Sequence, residues 1–512
     1  MRMLFIQPEF ENVGIEYISA ALKTAGHQVD LLFIPRHLQN NSFKIGVEDI
    51  DKENKMIAEA IKCANPDVIG FSPFTSYFRW SVEKSTYIKK TKPGIFILYG
   101  GVHATFIPEG TIAEPAIDAL LVGESDNSIV YFANNFHDRD KLLCTPNLWI
   151  KHNGHVIKNP LGPLIQNLDD LPYPDKDLFY DYMPKNERKG AFNLMASRGC
   201  PYKCTYCCND VYSNLYTGEN ILRFQSPEYV IEQLKYFKNR YNYNRIAFLD
   251  DVLAVKMERL EKLLPAVKKE INLPFDAYMY PNNLIATEGV VKILKQNGCS
   301  VIRLGIQSSN ESYRKETLRR PGHNNEMIKR IADLCHKYRL DFTFDHMYGL
   351  PHETADDLIE AVKLYSYCQP SVVNFYTLMY LPNTRILDEA VKSGILGQDD
   401  VDRINRGEDP NALDSNISRF VPKNGTINYS IFAFLFILIS IFPRNLMIKV
   451  SNLNFWTKIR VNVPKIFLIF LKVFSKYISG EGRIYGGVIL RTLKYMLLNK
   501  FGIVENSSYK TK

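Results

Sequence analysis

The 512-residue sequence has no apolar run of the roughly 20 residues that a bilayer-crossing helix takes. Its N-terminus, MRMLFIQPEF, has neither the hydrophobic stretch nor the cleavage site of a secretory leader. Cysteines are few and mostly solitary: Cys63, Cys144, Cys299, Cys335 and Cys368 stand alone, and the total of nine is odd. That excludes a disulfide framework and leads us to expect a reducing, cytoplasmic location. Acidic residues nearly vanish toward the end. From Val421 onward 14 Lys and Arg face only Glu481 and Glu505, so the tail holds +12 of a chain whose net charge is +8, and the first 420 residues hold −4. What remains is an ordinary globular composition, 46% hydrophobic and 23% charged, long enough for about three domains.

Hydrophobic periodicity divides the chain into blocks. In residues 1–138, short apolar runs (Met3 to Ile6, Val29 to Ile34, Val68 to Phe71, Ile95 to Tyr99, Ala119 to Val122) alternate with helix-like stretches at Ile15 to Ala25 and Trp80 to Lys90. Such alternation predicts a doubly wound parallel sheet with both faces covered. No G-x-G-x-x-G follows the first strand, so the usual dinucleotide fingerprint is missing. Residues 139–190 break the rhythm with a hairpin expected at Asn153-Gly154 and the Pro- and Asp-rich LDDLPYPDKD, read as a linker.

Residues 191–394 repeat strand and helix about six times, with strands expected at Phe192 to Ala196, Arg245 to Leu249, Phe275 to Met279, Val301 to Ile306, Phe342 to Met347 and Val372 to Leu378. Ser226-Pro227-Glu228 marks one helix start, and Thr287-Glu288 is expected to repeat the device. A βα series of this kind closes into a full or partial barrel whose chemistry lies at the strand C-termini.

After the first of these strands comes SRGCPYKCTYCCND, where Cys200, Cys204 and Cys207 are spaced to aim three thiolates at one centre. Soft thiolates favour iron-sulfur clusters, zinc or copper(I). Zinc needs a fourth ligand, and Cys208 is too close in sequence to complete a good tetrahedron. Three cysteines on a four-iron cluster leave one iron open to a substrate or cofactor. Cys208 reads as a bystander.

At these residues the sequence resembles the radical S-adenosylmethionine (radical SAM) superfamily, whose C-x3-C-x-aromatic-C motif is matched by Cys200, Cys204, Tyr206 and Cys207. The resemblance implies a four-iron four-sulfur cluster on a partial (βα)6 barrel. It further implies S-adenosylmethionine on the open iron, cleaved by one electron from an external donor such as flavodoxin or ferredoxin to a 5'-deoxyadenosyl radical. Tyr206 would lie near the adenine, Asp250 or Asp251 of FLDDVLA would meet the methionyl ammonium, and Gln307 of RLGIQSSN would accept from a ribose hydroxyl where the family often has glutamate. DHMYGLPHET and YLPNTRILDEA resemble the family's G-L-P-G-E-T and P-x-T segments.

LYGGVHATFIPEG and ALLVGESDNSI resemble the Rossmann-like cobalamin-binding domain that precedes the barrel in one large subgroup. This implies cobalamin at the strand C-termini, with Gly100, Gly101, His103 and Ser72 as candidates. Gly123-Glu124-Ser125-Asp126 stands where the subgroup often has G-E-G-E. The loop QPEFENVG lacks the histidine of D-x-H-x-x-G, and no protein ligand to cobalt is assigned. His103 reads better as a structural hydrogen-bonder.

Two such cofactors together imply a methylase acting on an unactivated carbon, with cobalamin-dependent cyclisation or rearrangement as the alternative. A nucleic-acid-modifying methylthiotransferase is disfavoured because its second cysteine triad is absent from the N-terminal block; no nucleic acid is expected as partner. A non-enzymatic cobalamin or redox sensor is the remaining rival.

Residues 395–512 carry no chemical motif. Their apolar stretches, Ile431 to Phe442 and 466–474, fit either core-facing helices or a peripheral membrane contact within 427–500, and the latter would suit a lipid-like substrate over other small molecules.

Overall fold

The computed structural model describes residues 1–8, 10–34, 50–182, 190–408, 427–453, 455–459 and 462–478. Strand β1 (Arg2–Pro8) buries six of its seven residues, which a strand does only when both faces of its sheet are covered. Its alternate side chains enter two separate cores, Met3 and Phe5 on one face, Leu4 and Ile6 on the other. Around it run β2 (Gln28–Ile34), β3 (Val68–Phe71), β4 (Phe96–Tyr99) and β5 (Ala119–Leu121), all parallel, in the order β2-β1-β3-β4-β5. The winding reverses between β1 and β3.

The hairpin forms where Asn153-Gly154 places it, with both residues at positive φ (50° and 79°) as a two-residue turn requires. Its strands β6 (Leu148–His152) and β7 (His155–Lys158) join the first sheet antiparallel beyond β5, so that sheet extends past residue 138.

The second sheet is parallel throughout and follows chain order: β8 (Ala191–Leu194), then, after the short antiparallel pair β9 (Ser197–Arg198) and β10 (Arg223–Phe224), β11 (Arg245–Phe248), β12 (Phe275–Met279), β13 (Cys299–Gln307), β14 (Asp341–Tyr348) and β15 (Val372–Thr377). Among the described residues β8 and β15 are its edges, which makes it an open (βα)6 barrel. Ser226 caps its helix as expected, accepting from the Tyr229 N–H at 3.0 Å. Thr287 takes the N-cap position of the helix Glu288–Gln296, with Glu288 in its first turn, but its hydroxyl donates to the Leu284 carbonyl at 2.6 Å and caps no helix N–H.

The stretch that includes Ile431 folds as the helix Tyr429–Ile439, which buries Ile431, Phe432, Leu435, Phe436 and Ile439 in the barrel's outer core. Phe436 lies 5.6 Å from Tyr365 on the helix Ala355–Cys368 and 6.3 Å from Phe375 on β15. The helical part of this run is therefore core, while Phe442 at its end is exposed. Helices Arg444–Ser451 and Lys465–Ile478 complete a layer over that edge of the barrel. No described helix is long and apolar enough to cross a membrane. The remainder of the C-terminal region, 409–426 and 479–512, lies outside the described residues.

Candidate active site

The cysteine loop begins with a backbone constraint. Gly199 sits at φ 84°, and a Cβ there would strike the Ile221 carbonyl oxygen, so the chain turns sharply just before Cys200. Cys200, Cys204 and Cys207 then share one small cluster with Tyr202, Tyr206, Val252, Val255 and Tyr280. All three are free thiols. Burial pushes the Cys200 thiol up to about 12 and raises that of Cys204, the latter opposed by the Arg320 guanidinium. Cys207 moves the other way, because the Cys208 thiol donates to it and the Asn209 amide approaches at 3.8 Å.

Among the described residues no three His, Cys, Asp or Glu side chains close around a point that could hold a metal ion. A cluster of four irons, which spreads its thiolates around a larger body, suits this donor set.

Arg320 escaped the sequence reading and is the main polar group here. Buried at 5% exposure, it donates to Cys204 Sγ at 3.6 Å, to the Tyr206 hydroxyl at 2.7 Å and to the Gly305 carbonyl at 2.5 Å. Its guanidinium carbon lies 4.5 Å from the centroid of Tyr280, which stacks in turn on Tyr202 at 3.6 Å. No motif marks it, since it follows Cys204 by more than a hundred residues.

The two aspartates separate in role. Asp250 is buried, accepting from the Ser197 hydroxyl and from the Ala196 N–H at 3.3 Å, and burial raises its carboxyl to about 6. It ties β11 to the segment after β8 and does not face the open site. Asp251 lines accessible space beside Cys200 and Cys207, and the surrounding protein raises its carboxyl, the Asn209 side chain partly offsetting this. Gln307 ends β13 at φ 71°, its amide folded against Gly305 so closely that a Cβ there would come 2.8 Å from Nε2.

In the first domain, the C-terminal ends of β1 and β3 enclose a narrow crevice lined by Gln7, Pro8, Phe71, Ser72, Phe74 and Tyr77. It lies where the winding reverses, the usual ligand position of such sheets. Phe10 and Phe74 are exposed beside it, their ring centroids 5.6 Å apart and their planes tilted by 47°, which gives the crevice an apolar lip. Gly101 has φ 79°, and a Cβ there would come 2.5 Å from Ser72 Oγ; the packing of these two predicted residues alone accounts for the glycine. A Cβ at Gly100 would meet only ordinary contact. His103 does not face the crevice. It is buried, stacked on Phe78 at 3.9 Å and hydrogen-bonded through Nδ1 to Thr75 at 3.2 Å, with burial holding its pKa near about 3.

Glu124 and Asp126 join the domains. Arg198, two residues before Cys200, bonds Asp126 in bidentate fashion at 2.8 and 3.0 Å, and Arg223 bonds Glu124 at 2.8 Å through both its Nη atoms. The Glu124 N–H donates to the Tyr216 hydroxyl at 2.8 Å, while Asn383, beyond β15, donates to the Phe106 carbonyl. The end of β5 is thereby fixed to the cysteine loop.

Comparison with known proteins agrees with this geometry. Residues 194–365 match the model of the Radical SAM superfamily, and residues 5–132 match the B12 binding domain. The chain belongs to the B12-binding radical SAM enzymes. It is 28% identical over 407 residues to the uncharacterized methyltransferase PH0819 of Pyrococcus horikoshii, covering 77% of this chain and 84% of that protein. It is 22% identical to the anaerobic magnesium-protoporphyrin IX monomethyl ester cyclase of Rubrivivax gelatinosus, covering 75% and 68%. In fold it is similar to the radical S-adenosylmethionine methyltransferase TsrM of Kitasatospora setae with cobalamin and [4Fe-4S] cluster bound (TM-score 0.61, 15% identity, 76% and 78% covered). The cobalamin-dependent enzyme OxsB gives the same TM-score, 0.61, at 15% identity, with 99% and 82% covered. As a radical SAM enzyme the protein takes a four-iron four-sulfur cluster, S-adenosylmethionine and cobalamin, an external electron donor and a small-molecule substrate.

Proposed function

We propose that this enzyme transfers a methyl group to an unactivated carbon of a small molecule, with cobalamin as the methyl carrier. The observation that carries the reading is the joint itself: Arg198 and Asp126 fix the end of β5, a strand of the sheet that holds the crevice, to the loop bearing Cys200, Cys204 and Cys207. When bound, the cluster and S-adenosylmethionine supply the radical that removes hydrogen, and cobalamin supplies the methyl group. The three thiolates would hold the cluster, Asp251 would receive the methionyl ammonium, Gln307 a ribose hydroxyl, and Tyr206 the adenine edge while its hydroxyl is held by Arg320. The Phe10 and Phe74 rings would carry the corrin, and His103, which points inward, would not reach it. Flavodoxin or ferredoxin is the electron donor of this reading, and contact with a membrane surface its location.

A second reading, radical ring formation, draws on the resemblance to the Rubrivivax cyclase. The test begins with anaerobic purification from cobalamin-supplied cells, cyanide extraction, and iron and sulfide assays. We expect about one corrin and about four irons per chain, with the iron lost in Cys204→Ala. Iron without corrin removes the methylase reading. A full complement followed by S-adenosylmethionine cleavage with no methylated product in the extract favours ring formation.

A further inference from the structure

The helix Lys465–Ile478 is oriented the wrong way for a helix that only covers a core. Phe467, Phe470 and Phe474 lie three and four residues apart, on one face, and are 46%, 65% and 44% exposed. Lys472 lies about 200° around the helix from both Phe470 and Phe474 at about 100° per residue. Its ammonium is turned back toward the barrel, 4.8 Å above the ring of Phe375 on β15. A helix docked on a water-soluble core buries its apolar stripe and shows its charges; this one shows its phenylalanines.

The rest of the layer repeats the pattern. Leu446 on the helix Arg444–Ser451 and Leu453 and Phe455 in the turn after it are exposed, as are Lys449 and Lys458 between them. Solitary exposed apolar residues need no explanation, but six large ones concentrated in a single layer do. The sequence of this stretch has one sign of charge: from Val421 to Gly480 it has eight Lys and Arg and no Asp or Glu.

We infer that the outer face of the C-terminal layer docks on an anionic lipid bilayer. Phenylalanines enter the boundary between headgroups and acyl chains, and the lysines meet the headgroup charge. The helix lies along the surface, because 14 residues extend about 21 Å and the hydrocarbon core is about 30 Å thick. Since the layer rests on β15 and the helix Ala355–Cys368, docking brings the barrel's final edge to the bilayer. This deepens the membrane part of the proposed function; binding is read without turnover, so it stands or falls separately from the radical chemistry.

The experiment is co-sedimentation of the full-length protein with phosphatidylcholine vesicles, with and without about 30% phosphatidylglycerol, at low and high salt. We expect binding to the anionic vesicles alone at low salt, reduced about five-fold or more in Phe467→Ser/Phe470→Ser/Phe474→Ser, with circular dichroism unchanged. Lys449→Glu/Lys458→Glu, which leaves the aromatic stripe intact, should weaken binding to the anionic vesicles and guards against loss of fold in the first variant. No binding by the wild-type chain overturns the inference, as does equal binding by both variants. A dimer in sedimentation velocity that the triple substitution splits also overturns it, since a second copy then covers this face.

Discussion

A fixed cation beside a cluster ligand changes the cost of adding an electron there. Arg320 places one N–H 3.6 Å from Cys204 Sγ and keeps its charge in a buried, aromatic setting where water screens little. That arrangement stabilises the more negative, reduced cluster. Arg320→Gln should therefore lower the cluster's midpoint potential by about 60 mV, the one-electron equivalent of a factor of ten. Arg320→Lys should show only part of the shift, and Tyr206→Phe, which removes only the hydroxyl at 2.7 Å and keeps the cation, should show almost none of it. Potentiometric titration followed by electron paramagnetic resonance checks this. A potential that does not respond to Arg320 leaves the residue with packing alone.

At the level of elements the sequence was largely legible. All six barrel strands lie within about two residues of their expected positions, because each is a short apolar run bounded by turn residues. The stretch from Ile431 could not be resolved that way: a helix apolar on every side looks the same whether protein or lipid surrounds it, and only its contacts with Tyr365 and Phe375 decide. Arg320 was invisible because its meaning depends on β13 returning to the cysteine loop. Gly101 has a further reason that the sequence did not show, since Ser72 leaves no room for a Cβ there. The same layer makes a pH dependence. Glu353, in the turn after β14, accepts from the Gly349 N–H at 2.8 Å and the Tyr429 hydroxyl at 3.1 Å, yet burial pushes its carboxyl up to about 8. A carboxyl raised in the folded state favours folding while protonated. Its contribution is complete below the unfolded value near 4.5 and is lost as pH rises through about 8. Glu353's contribution to melting temperature should accordingly fall between about pH 4.5 and 8, so that the wild-type curve declines there relative to that of Glu353→Gln. Parallel curves for the two proteins would remove Glu353 as the cause.

Across the whole molecule, two cofactors work together only if two independently wound sheets hold one relative placement. The acids that resemble a cofactor motif, Glu124 and Asp126, supply that placement through Arg223 and Arg198. Burial opposes ionisation of Asp126, and the Arg198 guanidinium overcomes it, holding the carboxyl below its ordinary range. Such a group contributes stability above its unfolded pKa and loses it as pH falls through the lower, folded value. Behind it, Lys176 is enclosed between Glu11 at 2.5 Å and Glu16 at 2.7 Å, and Asn193 of β8 donates to Glu11 at 3.0 Å, a second joint between the same bodies. Breaking one partner of a buried pair strands the other charge. Arg198→Ala should destabilise the chain by about 3–5 kcal/mol in urea unfolding at neutral pH. Asp126→Asn in the same background should return part of that loss by removing the stranded carboxylate, and the double-mutant cycle should give a coupling of about 1–3 kcal/mol. A coupling near zero would mean that the domains hold together without this bridge, and the placement of the cysteine loop would then have to come from the Lys176 joint and the contacts of Tyr216 and Asn383.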